Sequence, residues 1–249
     1  MPPRFFAPEL TPASREVTLP PGESTHLSRV LRLDTGAEVE LFDGRGLLRA
    51  GIVRRAAGQG AVVEAGEPLP TVPEPPAAIV VAQALLKGDA MDSVIRDATV
   101  MGAVEIWPMS TVRSNVPTRA AHAAHQRWER VAVAAAKQCG RTVLPRIAGV
   151  RPLGDVVADA RDEAPVRLWL TEPSASDGGS ASLPVPPQGV CLAIGPEGGW
   201  TAGERDAARA AGWQPWTMAP VTLRAEHVTL AALAVVRYAW GDAARRRIT

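Results

Sequence analysis

The residues best suited to hold a small molecule lie in two short stretches toward the C-terminus. The apolar run 190–194 leads into Gly195-Pro196-Glu197-Gly198-Gly199, and Thr201-Ala202-Gly203-Glu204 then has the spacing of a helix capping box. Glycines that follow a strand let backbone amides approach a ligand closely. In open α/β sheets, ligands bind beyond the carboxyl ends of strands. A plain strand-to-helix turn without a ligand is the other reading of these five residues, and their composition leaves both open. A second loop, Ala219-Pro220-Val221-Thr222-Leu223-Arg224-Ala225-Glu226-His227, follows a short strand at 213–218 and opens an apolar helix over 228–236. Neither loop has dinucleotide G-x-G-x-x-G spacing, and no Walker lysine is present.

Other reactive residue types point less firmly to chemistry. His122 and His125 stand at i, i+3 on a helix, a spacing that can bind metal, but they lack cysteine or acidic partners. An exposed helix face is expected there, and no metal site. Cys139 and Cys191 have neither metal-ligand nor disulfide spacing, which fits a reduced, cytoplasmic setting. Trp200, Trp213 and Trp216 could stack on bases, but core packing is the expected role.

The elements that must position the loops alternate between strand and helix. The run 78–85 is almost continuously apolar, as in a parallel strand buried on both faces. A helix over 89–101 stops at Gly102, a strand follows at 104–109, and Thr118 can cap a long helix to about Gln138. Short apolar strands are predicted at 143–147, 166–170 and 190–194, and a Ser-, Gly- and Pro-rich loop at 174–188. The pattern predicts α/β architecture with a mostly parallel sheet. Before it, 1–72 reads as a small β-rich domain. Strands are predicted at 38–42, 48–54 and 61–65, with Asp43-Gly44 as a hairpin turn. A helical turn at 26–32 should place Leu27, Val30 and Leu31 on one buried face, with Arg29 and Arg32 pointing away. The proline-rich stretch 67–76 reads as a linker to a second domain, 73–249.

Bulk numbers bound the possibilities. Of 249 residues, 46% are hydrophobic, so a sizeable core can form. Lys plus Arg is 27 against 26 Asp plus Glu, so net charge alone names no partner. Arg far outnumbers Lys, which suits bidentate contacts to phosphate but also reflects codon bias. The N-terminal MPPRFFAPEL lacks the apolar run of a signal peptide, and the apolar run 230–236 is too short to span a bilayer. No membrane association is expected.

Taken in order, these residues resemble the RsmE family of 16S rRNA (uracil-N3)-methyltransferases, within the SPOUT class. The segment Ile194 to Glu204 is similar to the family's first loop, I/L-G-P-E-G-G with an acidic capped helix. Met218 to Val228 is similar to its second, L-G-P-R-I-L-R-T-E-T-A, keeping Pro220, Leu223, Arg224 and Glu226 in register. Arg4-Phe5-Phe6, the 26–32 segment with Gly36, Phe42-Asp43-Gly44, Lys87-Gly88-Asp89 and Lys137-Gln138-Cys139-Gly140-Arg141 extend the resemblance over most of the chain. Departures fall at Ala219, Val221, Ala225 and His227 in the second loop. On the first helix of the second domain, Val100 replaces an acidic residue and Asp97 a basic one.

The resemblance implies a PUA-like RNA-binding domain followed by a SPOUT domain tied in a C-terminal trefoil knot. The implied cofactor is S-adenosylmethionine. Leu170, Thr171, Ile194, Gly195, Pro196, Gly199, Met218, Ala219, Pro220 and Leu223 would hold it, largely through main-chain groups. Arg224 would stabilise charge on the uracil, Glu197 would accept a proton or orient, and Glu226 would orient. Arg29, Arg32, Arg113, Gln138 and Arg141 would contact RNA, whereas Arg45 reads as a solvated residue. The implied partner is 16S rRNA or the assembled small subunit, and the implied state a homodimer through the catalytic domain. Ribose 2′-O methylation by the same fold, or an RNA-binding homologue without catalysis, are the alternatives.

Overall fold

The computed structural model describes residues 2–159, 166–173 and 189–245. The loop expected at 174–188 lies outside them. The chain divides into two compact units, Met1–Pro73 with Val133–Leu144, and Glu74–Ala132 with Pro145–Thr249.

The first unit is built on a five-stranded sheet from β1 (Arg4–Phe6), β2 (Glu16–Thr18), β3 (Glu38–Phe42), β4 (Leu48–Arg55) and β5 (Val62–Pro68). The strand order is β1-β3-β4-β5-β2, antiparallel except for the parallel β1–β3 pair. Register shifts in β4–β5, between Arg49/Gly51 and Val53/Arg55, mark bulges that raise local twist. The sheet curls into a PUA-like fold around Phe5, Leu10, Leu27, Leu41, Val53 and Val63, all buried. Arg49 is buried too. Its guanidinium is satisfied by the carbonyls of Thr11, Pro12, Ser14, Ala65 and Gly66, so it ties the N-terminal loop to β5. The Asp43 carboxylate accepts from the backbone of Arg45 and Leu47, closing the expected hairpin turn.

The 26–32 segment differs from expectation. After α1 (Pro21–Thr25) the chain widens into one π-helical turn, His26–Val30. Widening a turn breaks the i, i+3, i+4 coincidence of side chains. Only Leu27 is buried, while Val30 is 64% and Leu31 39% exposed.

The second unit carries a parallel sheet of β6 (Ala78–Ala84), β7 (Glu105–Ser110), β8 (Arg146–Ile147), β9 (Arg151–Pro152), β10 (Val166–Leu170), β11 (Gly189–Ile194) and β12 (Gln214–Trp216). Its order is β12-β10-β11-β6-β7-β8, with β9 also paired to β7. Helices α2 (Ala90–Val100), α3 (Thr118–Cys139), α4 (Leu153–Ala158), α5 (Ala202–Ala210) and α6 (Ala225–Arg245) complete the fold. Residues of α3 from Val133 onward belong to the first unit. The β6 run is apolar throughout because both faces are covered. Ile79 and Val81 pack with residues of α2 and α6, and Val80 and Ala82 with residues of α4 and α5.

Three boundaries moved for physical reasons. Pro117, not Thr118, precedes the first turn of α3, and its carbonyl accepts from Ala120 N–H. The expected strand at 143–147 divides: Val143 bridges Gly44 in the first unit, and only Arg146–Ile147 pairs with β7. Between them stands Pro145, which has no N–H to donate. Helix α6 begins at Ala225, inside the second loop. No helix among the described residues is long and apolar enough to cross a membrane.

One buried polar pair pins α6 to the central strand. Thr229 donates its hydroxyl to Gln83 Oε1 at 2.8 Å, and Gln83 Nε2 donates to the Ala84 carbonyl at 3.1 Å, with both side chains fully buried. Thr229→Val keeps the shape but orphans the Gln83 oxygen. A loss of about 1–3 kcal/mol is expected in urea unfolding, and an unchanged midpoint would show that the pair does not hold α6.

Candidate functional site

The first loop is shaped by what surrounds each glycine. A Cβ on Gly195 would stand 3.1 Å from the Trp200 ring, so the ring closes over bare backbone. Gly199 has φ +66°, a left-handed conformation natural to glycine, and its N–H bonds the Pro196 carbonyl at 2.9 Å. Trp200 is buried and donates Nε1–H to the Leu170 carbonyl at 2.8 Å, linking this loop to the end of β10. The capping box forms as expected between Thr201 and Glu204. The Glu204 carboxylate, mostly buried, also accepts the Val112 N–H at 2.8 Å. Beside it, Arg113 donates to the Gly198 carbonyl at 2.8 Å.

The second loop meets the first across the end of the sheet. Thr171 N–H donates to the Trp216 carbonyl at 3.0 Å, and the Thr171 and Thr217 hydroxyls lie 2.8 Å apart. These contacts fix the ends of β10 and β12 side by side. The Arg224 carbonyl accepts from His227 and Val228 N–H, capping α6 through backbone. Both loops and the end of β10 line one cavity of about 520 Å³, within the usual range for small-molecule sites.

The cavity gathers most of the predicted site. Leu170, Thr171, Ile194, Gly195, Pro196, Gly199, Met218, Ala219 and Leu223 line it, as do Glu197, Arg224 and Glu226. Pro220 is not among the lining residues. Sequence reasoning missed Glu172, which follows Thr171 off β10 and presses its carboxylate toward Gly199, where a Cβ would lie 3.3 Å from Oε1. The signal was its place just past a strand end; no periodicity marks it. Ala90, Val221 and Thr222 also line the cavity unpredicted. Glu172, Glu197 and Glu226 outnumber the single guanidinium of Arg224, so the walls favour a ligand with positive charge.

Near the start of α6, the Asp97 carboxyl is pushed up, chiefly by burial and against the opposing pull of Arg96 and His227. His227 itself is outside the cavity lining.

The RNA-contact candidates separate by exposure. Arg29, Arg32, Arg113 and Gln138 are exposed or at exposed contacts. Arg141 is only 5% exposed and already has a partner. Arg45 is exposed and pairs with Asp43. His125 contacts the Ile147 carbonyl and Glu129, and the described residues hold no metal-type group of His, Cys, Asp or Glu. Trp200, Trp213 and Trp216 are all buried in the second unit's cores, as packing required.

Comparison with known proteins gives a consistent answer. A family model described as RNA methyltransferase domain matches residues 73–237. Ribosomal RNA small subunit methyltransferase E of Synechocystis is 33% identical over 226 residues, covering 88% of this chain and 72% of the relative. The methyltransferase of the same name from Neisseria gonorrhoeae, solved bound to S-adenosylmethionine, is 28% identical with a TM-score of 0.87, covering 96% of this chain and 98% of that one. A Legionella pneumophila methyltransferase solved with the same cofactor gives the same identity, coverage and TM-score.

Proposed function

The chain belongs to the RsmE family of ribosomal RNA methyltransferases in the SPOUT superfamily, and from that membership we propose that it methylates N3 of a uridine in 16S rRNA with S-adenosylmethionine as donor. The observation that carries the reading is the convergence of both motif loops on one cavity with Arg224 at its wall.

The residues present suit the cofactor. Leu170, Ile194 and Met218 offer an apolar, main-chain-rich surface for a flat heterocycle. The carboxylates of Glu172, Glu197 and Glu226 suit the positive charges of a sulfonium and an ammonium. When bound, S-adenosylmethionine supplies a methyl group already activated on sulfur.

What the chain must add is activation of the nucleophile, the substrate's own N3. Uracil N3 carries a weakly acidic proton and attacks poorly until that proton leaves. Arg224 is exposed and makes no ion pair with Glu226 or any other described carboxylate, so its guanidinium is available to a ring oxygen. Placed there, it stabilises negative charge spreading from N3 onto O2 and O4. Glu197, exposed on the opposite loop, takes the proton, and Glu226 in the first turn of α6 orients the ring. Arg29, Arg32, Arg113 and Gln138 hold the RNA backbone, and the target base is drawn out of its stack into the cavity.

The same reading includes a trefoil knot at the C-terminal loops, supported by their meeting at one cavity, and a homodimer. Leu230, Val235 and Tyr238 on α6 are 43%, 41% and 81% exposed, an apolar face that a second copy would cover. The substrate places the enzyme in the cytoplasm, where ribosomes assemble.

Small subunits lacking the modification, incubated with the protein and donor and digested to nucleosides, should yield 3-methyluridine. Ribose 2′-O-methyl nucleosides in its place would reject the N3 assignment. Donor binding without any methylated nucleoside would leave an RNA-binding homologue.

A further inference from the structure

The first unit brings together two segments that the sequence holds well apart: the π-helical turn His26–Val30 and the loop 58–60 between β4 and β5. Thr25 donates its hydroxyl to the Gly58 carbonyl at 3.1 Å. The Arg29 guanidinium lies over Gly58, where a Cβ would stand 3.6 Å from Nε and 3.7 Å from Nη2. Across the loop, Arg55 Nη2 donates to the Gly60 carbonyl at 2.9 Å. Two guanidinium groups thus flank a glycine-containing loop that is itself hydrogen-bonded to the helix end.

Neither cation is neutralised. Among the described residues, no ion pair engages Arg29, Arg32 or Arg55, whereas the adjacent Arg54 is paired with Glu64. The backbone also departs from the ordinary here. Arg32 is the one described non-glycine residue with positive φ, at +51°, immediately beyond the widened turn. Such conformations cost of order 1–3 kcal/mol and concentrate at ligand clamps. They persist here beside Val30 and Leu31, apolar side chains turned to solvent. A fold that needed this segment only for packing would bury Val30 and Leu31 by an ordinary helical turn.

We infer that Arg29, Arg55 and the 58–60 loop form a phosphodiester-binding clamp for single-stranded RNA, in which the two guanidinium groups grip one backbone phosphate each and Val30 contacts the adjoining ribose or base. This rests on the RNA-substrate reading above and adds to it Arg55 and the 58–60 loop, which no motif marks. Guanidinium forks match phosphate oxygens bidentately, and a glycine loop admits the RNA backbone without a Cβ in its way.

The test is the salt dependence of binding. The full-length protein is titrated with a fluorescein-labelled oligouridine of 15 nucleotides, across a series of KCl concentrations. Each phosphate contact contributes about 0.7 to the slope of log K against log[salt] for a single strand. Arg55→Gln should lower the slope by about 0.7, Arg29→Gln by the same, and the double variant by about 1.4. Arg55→Lys, which keeps the charge, should restore the slope, and Arg119→Gln on α3 serves as the surface-charge control. Circular dichroism melts and S-adenosylmethionine affinity should stay at wild-type values in all of them. A wild-type slope in Arg55→Gln, or a loss no larger than in Arg119→Gln, overturns the clamp. Failure of the wild type to bind the oligouridine at all also overturns the clamp, and the RNA-substrate reading stands or falls separately on the methylation of small subunits.

Discussion

Arg224→Ala should bind S-adenosylmethionine with near wild-type affinity and turn over about 10²–10³-fold more slowly, a loss of about 2.7–4 kcal/mol of transition-state stabilisation. The separation of binding from turnover follows from geometry. Arg224 serves the fold through its carbonyl, which accepts from His227 and Val228 N–H at the start of α6. Alanine keeps that carbonyl. The side chain is exposed, makes no ion pair among the described residues, and lines the same cavity as Glu197. Its removal therefore deletes one positive charge from the cavity wall, where the proposed mechanism develops the uracil anion, and little else. Arg224→Lys keeps the charge but not the planar fork, and an intermediate rate is expected. Raising the pH should narrow the gap between Arg224→Ala and wild type, because solvent then supplies the N3 anion that the guanidinium otherwise favours. Single-turnover rates with small subunits, set beside calorimetric donor affinity, read both quantities. Equal losses of binding and turnover would make Arg224 a cofactor contact, and an unchanged rate would remove it from the chemistry.

The place of Arg224 at the cavity wall was readable in the sequence, and several neighbouring facts were not. The β6 run, the Thr201–Glu204 capping box and the glycine turn at 195–199 each rest on a short-range rule, burial on two faces, reciprocal capping or left-handed backbone, and each appears where the rule puts it. The π-helical turn could not be seen. One extra residue in one turn leaves the composition of 26–32 unchanged while moving Val30 and Leu31 from core to solvent. The stretch Val133–Leu144 was hidden for a different reason. Its residues up to Cys139 continue an unbroken amphipathic helix, yet Ala136 and Val133 pack with Phe42, Leu48 and Leu69 in the first unit. Periodicity reports that a face is apolar and is silent on which core receives it. Glu172 was missed because a carboxylate just past a strand end becomes informative only when Gly199 from another loop is seen beneath it.

Gly195 makes the sharpest demand on the cofactor site, and its replacement has the second large effect. A methyl at Gly195 would stand 3.1 Å from Cε2 and Nε1 of Trp200. The ring cannot yield freely. It is buried, it lies against Trp169 with centroids 6.4 Å apart, and its Nε1–H is committed to the Leu170 carbonyl at 2.8 Å. Relief must therefore come either from the indole, which would lengthen the bond holding β10 to the loop, or from the backbone at 195, which lines the cavity. Gly195→Ala should cost about 1–3 kcal/mol of stability, as overpacking does. It should also weaken donor binding, because both the backbone at 195 and the Trp200 ring line the cavity. Two other glycines make the result specific. Gly199→Ala places a side chain at φ +66°, costing about 1–2 kcal/mol from backbone conformation. Gly203→Ala meets nothing within 4 Å and lies within α5, so helix propensity should stabilise it by about 0.8–1 kcal/mol. Thermal melts and donor titrations of the three variants should rank Gly195 worst for binding and Gly203 neutral. Donor affinity at the wild-type level in Gly195→Ala, with the fold intact, would mean that the tryptophan wall does not shape the cofactor site.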